Sequence, residues 1–272
     1  MSFFSSSSSL FTLTRFLYPL DEIELSFINS LLNKTNLQEC YFWIFEIHFS
    51  GFNVFPFLLK VYVDFYKELN PNLEDYIIKK NPAEDDNTND KVKSLASIVR
   101  NLFRANPSPN AFLLRLAPEL LSSAKPKKSC ANIKNVFVSP TEEDIKTIMD
   151  TELLPISPIY NTLKNKRLFS TSDNIGCFEL KRYSIIAADA LAYQYNDFLY
   201  DNFFHWEYYA MRSPVWYSRL TSLNGSIDHI KKEIVFLDDD EKEEFYQLYG
   251  YEFDEQTKNI LDMSHKDYFW KK

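Results

Sequence analysis

Glycine is scarce in this sequence, and its scarcity excludes several kinds of enzyme site. The 272 residues include four glycines, at positions 51, 176, 225 and 250. Loops that wrap phosphates or expose a nucleophile at a sharp turn need two or three glycines close together, and the nearest pair here is 25 residues apart. The usual glycine-rich nucleotide loops and nucleophile turns are therefore excluded.

Cysteines and long apolar runs are also scarce. Cys40, Cys130 and Cys177 are far apart and odd in number, which argues against a disulfide framework or a zinc knuckle and fits a reducing compartment. Nothing near these cysteines identifies a catalytic base. No window approaches the ~18 consecutive apolar residues that cross a bilayer, so we expect no membrane span.

What the chain has in abundance is aromatic side chains and helix starts. Aromatic residues make up 17% of the chain, which supplies large areas for burial in a core. Five of the seven Ser-Pro or Asn-Pro steps are interpreted as helix N-termini, because Ser or Asn caps the first turn and proline suits the first helical position. These steps are Asn70-Pro71, Ser108-Pro109, Ser139-Pro140, Ser157-Pro158 and Ser213-Pro214.

The predicted fold is therefore all-α. We expect an irregular multi-helix bundle or a helical-repeat-like array, with at most a small two-stranded β element. The runs 136–138 and 234–237 are the only strand-like stretches in the sequence, and both are short.

Composition divides the chain into four parts. We expect residues 1–20, which begin with a serine run, to form a flexible tail whose Phe and Leu side chains dock onto the body. Residues 21–80 carry apolar side chains at helical spacing and form an N-terminal helical unit, in which Trp43 is expected to be buried. Residues 81–90 have no large apolar side chain and form an acidic linker. Residues 91–272 form a larger helical domain.

Charge is distributed unevenly along the chain. Residues 91–134 carry nine basic side chains and one acidic one, whereas residues 232–272 carry twelve acidic and six basic ones. A dense positive block attracts phosphates or an acidic protein surface. If the block does not bind a partner, it is either a solvated face or docked internally against the acidic stretch 238–255. The predicted partner-binding residues are Lys93, Arg100, Arg104, Arg115, Lys125, Lys127 and Lys128.

Two other patterns have a structural interpretation that we prefer to a functional one. Asp197, Asp201 and His205 are four residues apart in a predicted long helix and share one face. A metal could bind there, but no Glu-x-x-His partner completes a di-iron site, and a solvated polar stripe is the simpler interpretation. The aromatic run from Tyr193 to Tyr209 has rings enough to stack unpaired bases, yet its surroundings are net negative and core packing explains it better. We predict no metal site, no cofactor and no catalytic residue.

The first 80 residues resemble a known group of viral proteins. The similar stretches are 18–24 (YPLDEIE), Leu31-Leu32, 39–46 (ECYFWIFE) and 50–52 (SGF). They look like the opening of uncharacterised helical proteins of giant, nucleocytoplasmic large DNA viruses. The resemblance implies a virus-encoded protein of the host cytoplasm (viral factory) or of the virion, with no chemistry to carry over onto any residue.

Together these observations predict a non-catalytic protein–protein interaction or scaffold component of a viral assembly. The alternative is a nucleic-acid-associated subunit of viral transcription or translation machinery that uses the basic block 91–134 on phosphates. An unrecognised enzyme is a third interpretation, because an active site assembled from scattered residues leaves no motif. Salt separates the first two, since phosphate contacts weaken steeply with salt whereas apolar protein docking does not.

Overall fold

The computed structural model describes residues 12–18, 20–34, 36–83, 86–116, 137–152 and 205–249. These residues form ten helices and one two-stranded sheet, so the predicted all-α class with a small β element is confirmed. The helices are α1 (Leu20–Asn33), α2 (Leu37–Phe49), α3 (Phe55–Phe65), α4 (Leu73–Lys79), α5 (Thr88–Arg104), α6 (Asn110–Leu116), α7 (Glu142–Glu152), α8 (Trp206–Ala210), α9 (Pro214–Ser222) and α10 (Asp239–Tyr249). The strands are β1 (Ser226–Asp228) and β2 (Glu233–Val235).

The chain divides into two compact units. Unit 1 takes Met1–Ser9, Phe27–Phe45 and Asn53–Leu153, and unit 2 takes Leu10–Ser26, Glu46–Phe52 and Leu154–Lys272. The division passes through α1 and α2. Residues 81–90, which composition suggests as a linker between domains, fall within unit 1. The two compact units therefore have different boundaries from the domains that composition suggests.

Helix α5 shows how unit 1 is built. Asn87 is extended and accepts a hydrogen bond from the backbone N–H of Asp90 at 2.9 Å, so it caps the first turn. One face of the helix carries apolar residues at helical spacing, and all of them are buried. They are Val92, Leu95, Ala96, Ile98, Val99 and Leu102.

The first part of helix α2, up to Phe45, contributes buried aromatic residues to unit 1. Trp43 is fully buried, which confirms the prediction. Its indole Nε1 donates a hydrogen bond to Glu39 one turn earlier, at 3.4 Å, and the Phe42 ring packs edge-on at 4.9 Å. The indole therefore keeps its polar atom satisfied while its apolar surface is removed from water.

The predicted strand at 136–138 is absent where the structure describes it. Phe137 and Val138 form no strand, because other groups take up their ring and backbone. The side chain of Asn101 accepts a hydrogen bond from the backbone N–H of Val138 and donates one to its carbonyl oxygen, and the Phe137 ring stacks on Tyr76 at 4.2 Å. An asparagine side chain thus replaces the strand partner that this run would have needed.

Residues 13–18 lie in the core of unit 2. Phe16, Leu17 and Tyr18 are almost fully buried, and the Trp216 indole donates a hydrogen bond to the Thr14 carbonyl oxygen at 3.0 Å. These residues were expected to belong to a flexible tail with docked Phe and Leu side chains. The structure makes them part of the core, whereas residues 1–11 lie outside the described residues.

Helix α9 begins as its Ser-Pro step predicts. The side chain of Ser213 accepts a hydrogen bond from the Trp216 backbone N–H, and Pro214 occupies the first helical position. Gly51, which follows α2, adopts a φ of +91°. A Cβ at Gly51 would lie 2.6 Å from Cβ of Pro214, so both its conformation and its neighbour require glycine.

The two strands form an antiparallel hairpin in which Ser226 pairs with Val235, Ile227 with Ile234 and Asp228 with Glu233. Asp228 sets the turn, because its carboxylate accepts hydrogen bonds from the N–H groups of residues 230 and 231. The strand predicted at 234–237 is thus correct in place, although β2 begins one residue earlier and ends at 235.

Candidate functional site

The basic block is only partly described, and its charges differ in their surroundings. Lys93 and Arg104 are exposed on α5. Arg100 and Arg115 each contact an acidic side chain of unit 1. The remaining predicted residues, Lys125, Lys127 and Lys128, lie outside the described residues.

Arg100 belongs to a hydrogen-bond network around Asp144. The Asp144 carboxylate is nearly buried and accepts from the Arg100 guanidinium, from Nε2 of Gln38 at 3.0 Å and from the backbone N–H of Thr141 at 2.8 Å. Burial, together with the Asp144 charge, raises the pKa of the nearby Tyr41 hydroxyl. Because Arg100 neutralises a carboxylate that has little access to water, its charge holds α7 against α5.

Arg115 has a comparable role at Asp64 on α3. Asp64 is 1% exposed, and the Arg115 guanidinium lies against one of its carboxylate oxygens. No well-directed hydrogen bond from any described residue reaches either oxygen of Asp64. A buried carboxylate is costly without a cation beside it, so Arg115 offsets that cost.

The contacts of Arg100 and Arg115 can be compared with the three interpretations of the basic block, which are partner binding, a solvated face and internal docking. Arg100 and Arg115 do pair internally, but with Asp144 and Asp64 of unit 1 rather than with the acidic stretch 238–255. Partner binding by the seven predicted residues stays a prediction.

The hairpin of unit 2 presents apolar side chains to solvent. Ile230 in the turn is 95% exposed, Leu237 is 82% exposed, and Val235 is also exposed. Alternate residues of a strand point to opposite faces. Accordingly Phe236 turns inward, with its ring centre 5.3 Å from that of Phe245 on α10. We call Ile230, Val235 and Leu237 the hairpin surface.

Acidic residues flank the hairpin surface. Glu233 precedes Val235 on the outward side of β2, and Asp238 follows Leu237 directly; both are exposed. Asp238 also caps α10 by accepting a hydrogen bond from the Glu241 N–H at 2.9 Å. The first turn of α10 adds three further acids, Asp239, Asp240 and Glu241. Acidic side chains therefore lie beside Val235 and Leu237, whereas the exposed Lys231 adjoins Ile230 in the turn.

The hairpin surface is missing from the sequence-based list of site residues. The run 234–237 is apolar at every position, so the sequence marks a short strand without showing which face is buried. The one indication in the sequence is that apolar and polar residues do not alternate in this run. Such a strand either is covered on both faces or leaves one apolar face exposed. Packing of the Phe236 ring against Phe245 on α10 determines which face is directed inward.

The predicted metal stripe is mostly outside the described residues, which include His205 but neither Asp197 nor Asp201. Nδ1 of His205 lies 3.1 Å from the carbonyl oxygen of Lys232. Among the described residues, no group of three or more His, Cys, Asp or Glu side chains is placed to hold a metal ion.

The described end of the aromatic run packs inward. Trp206 and Tyr209 are buried, and the Trp206 ring lies edge-on to Trp216 at 5.8 Å. This agrees with core packing for these two residues, whereas residues 193–204 are outside the described ranges. Cys40 is buried in α2, and the other two cysteines are not described.

No helix in the described ranges is both long enough and apolar enough to cross a membrane. Comparisons of the chain with protein-family models, with curated proteins and with solved structures find no significant match.

Proposed function

We propose that this chain is a non-catalytic, protein-binding component of a larger assembly, and that it binds through the hairpin surface. One observation carries the proposal: Ile230, Val235 and Leu237 are exposed on a hairpin whose alternate residues are packed inward. Large aliphatic side chains that stay in water contribute no burial energy to the fold. When they are grouped and have a polar rim, they are typical of a protein interface.

The surroundings of the hairpin surface define the chemistry of the partner. Val235 and Leu237, which are bordered by Glu233 and Asp238, fit a partner with an apolar patch and a Lys or Arg side chain beside it. Burial of the aliphatic side chains would supply most of the affinity, while the charges at the border would set orientation and association rate.

Nucleic-acid binding through the basic block has less support. Two of the four predicted partner-binding residues that the structure describes, Arg100 and Arg115, already neutralise buried carboxylates. The support for a viral setting, in a viral factory or a virion, is the resemblance of the first 80 residues and nothing else.

The test is affinity purification of the tagged chain from its native cells after nuclease treatment, with quantitative mass spectrometry. Three forms are compared: the wild type, the double variant Val235→Ser with Leu237→Ser, and the control Ile78→Ser. Ile78 is a 54% exposed aliphatic residue of α4 in unit 1, so the control changes exposed apolar area to a similar extent elsewhere.

We expect the double variant to lose a protein partner that both the wild type and Ile78→Ser retain. With that partner purified, calorimetry should show at least a tenfold weaker Kd for the double variant, because the loss of two hot-spot side chains costs about 1.4 kcal/mol or more. The same partner yield from all three folded forms would refute the hairpin surface as the binding site. Loss of the partner from the wild type on nuclease treatment would support the nucleic-acid alternative.

A further inference from the structure

Arg219 on α9 lies in an aromatic corner of unit 2. Its guanidinium carbon is 4.7 Å from the ring centre of Trp216 and 5.0 Å from that of Tyr249. These two rings are nearly perpendicular, with an interplanar angle of 76°. They cover two sides of the guanidinium and hold it by cation–π attraction.

No acceptor in the described part of the chain forms a hydrogen bond with this guanidinium. Its Nη1 is buried and has no hydrogen-bond partner, and no acidic side chain of the described ranges forms an ion pair with it. The residue as a whole is half-buried, so solvent reaches part of it. Buried polar groups in proteins are nearly always hydrogen-bonded, and a cation that is partly removed from water needs an acceptor even more.

The neighbouring charges do not compensate Arg219. Arg15 and Glu46 are both buried and bound to each other, with Nε of Arg15 2.9 Å from Oε2 of Glu46. The other carboxylate oxygen of Glu46 accepts the backbone N–H of Phe16 at 3.0 Å. Burial lowers the pKa of Arg219 to about 10; by smaller amounts Tyr249 and Glu46 raise this pKa and the positive charge of Arg15 lowers it further. Counted by themselves, Arg15, Glu46 and Arg219 sum to one positive charge, and no other carboxylate of the described residues forms an ion pair with Arg219.

We propose that Arg219 is a binding site for a carboxylate group. One carboxylate would bring the group of three charges to neutrality, whereas a phosphate dianion would leave it negative. A planar carboxylate also matches the planar fork of donors on a guanidinium, with which it forms paired hydrogen bonds. The carboxylate comes from a small acid or from a Glu or Asp side chain of a peptide. This site is separate from the hairpin surface, and neither proposal depends on the other.

The experiment uses the full chain and titrates sodium acetate against sodium chloride at equal ionic strength. Tryptophan fluorescence and the thermal unfolding midpoint are followed, because Trp216 lies against the site. N-acetylglutamic acid amide tests a side-chain source of the carboxylate, and inorganic phosphate tests the other oxyanion class. The variants are Arg219→Met, Arg219→Lys and the control Arg212→Met, an arginine that likewise contacts two aromatic rings, those of Tyr208 and Tyr209.

We expect a saturable response to the carboxylates in the wild type and in Arg212→Met. Arg219→Met should lose it, and Arg219→Lys should bind at least about tenfold more weakly, because lysine keeps the charge but lacks the forked donors. If Arg219→Met does not fold, Arg219→Lys alone gives the comparison. A response in Arg219→Met equal to that of the wild type, no saturable response in the wild type, or saturation by phosphate but not by carboxylates would each overturn the proposal.

Discussion

Helix α5 of unit 1 and the hairpin of unit 2 treat their apolar residues in opposite ways. On α5 the apolar side chains form one stripe that is buried except for the half-buried Phe103, and the exposed positions include Lys93 and Arg104. On the hairpin, Phe236 is directed inward while Val235 and Leu237 remain in solvent. A two-stranded sheet with apolar residues on both faces can cover only one of them within a small unit.

This contrast between α5 and the hairpin indicates which surface is the better candidate for a binding site. Exposed charges on a helix whose apolar stripe is complete are an ordinary solvated face. Exposed aliphatic residues next to a packed aromatic one are not explained by the fold itself. The charge pattern therefore pointed to α5, whereas the packing points to the hairpin.

The largest expected effect tests the core of unit 1. Trp43→Ala should lower the free energy of unfolding by about 3 to 5 kcal/mol, because the indole is fully buried and leaves a large cavity. Chemical denaturation followed by circular dichroism measures the change. Tyr217→Ala, which truncates an exposed aromatic residue of unit 2, should change stability by less than ~0.5 kcal/mol. Equal losses in both variants would contradict the burial of Trp43.

The same substitution at two leucines tests the comparison directly. Leu102→Ala on α5 should cost about 2 to 5 kcal/mol, since Leu102 is fully buried. Leu237→Ala should stay within ~0.5 kcal/mol of the wild type, because its side chain is already in water. Urea unfolding of both variants measures the difference. A large loss for Leu237→Ala would mean that the hairpin surface is covered within the chain.

A smaller effect is expected at the basic block. Arg100→Ala should lower stability by about 1 to 3 kcal/mol, because Asp144 loses its cation while it stays nearly buried. Arg104→Ala, one turn away and exposed, should have almost no effect. The thermal unfolding midpoints of the two variants give the comparison. If neither substitution changes the unfolding midpoint, Arg100 does not stabilise the fold and is available to bind a partner, as the sequence predicts.

The smallest effect concerns the start of α5. Asn87→Ala should cost about 0.5 to 2 kcal/mol, because the first turn loses its capping acceptor. Asn87→Ser keeps an uncharged acceptor at the cap and should lose less stability than Asn87→Ala. Aspartate is unsuitable here, because the Asn87 amide also donates to the Asp90 carboxylate at 2.8 Å. Denaturation midpoints distinguish the two variants, and equal destabilisation by alanine and serine would show that the cap does not act through its side-chain oxygen.

Helix starts show how far sequence reasoning reached. Ser213-Pro214 begins α9 as predicted, but Ser139-Pro140 stands before the cap of α7 rather than forming it. There Thr141 and Asp144 exchange hydrogen bonds, with the Asp144 N–H donating to Thr141 at 3.1 Å and the Thr141 N–H to Asp144 at 2.8 Å. Both patterns satisfy the same backbone donors, so local sequence alone does not choose between them.

The candidate sites lie further from what local sequence predicts. The basic block is visible as a run of charges, but the carboxylates that engage Arg100 and Arg115 are distant in the chain and unrelated to any motif. Local sequence gives no signal that the buried Nη1 of Arg219 has no acceptor among the described residues, because its surroundings come from distant parts of the chain.

The sequence by itself determined the helical class, the burial of Trp43 and the cap of α9, because helical spacing, apolar composition and capping chemistry act between near neighbours. Tertiary structure alone decided that residues 13–18 enter the core, that Asn101 replaces a strand partner at Val138, and that Leu237 stays exposed. Each of these depends on which distant groups compete for the same backbone or apolar surface. That competition is settled only when the chain packs, since packing energy and hydrogen-bond satisfaction are properties of the whole arrangement.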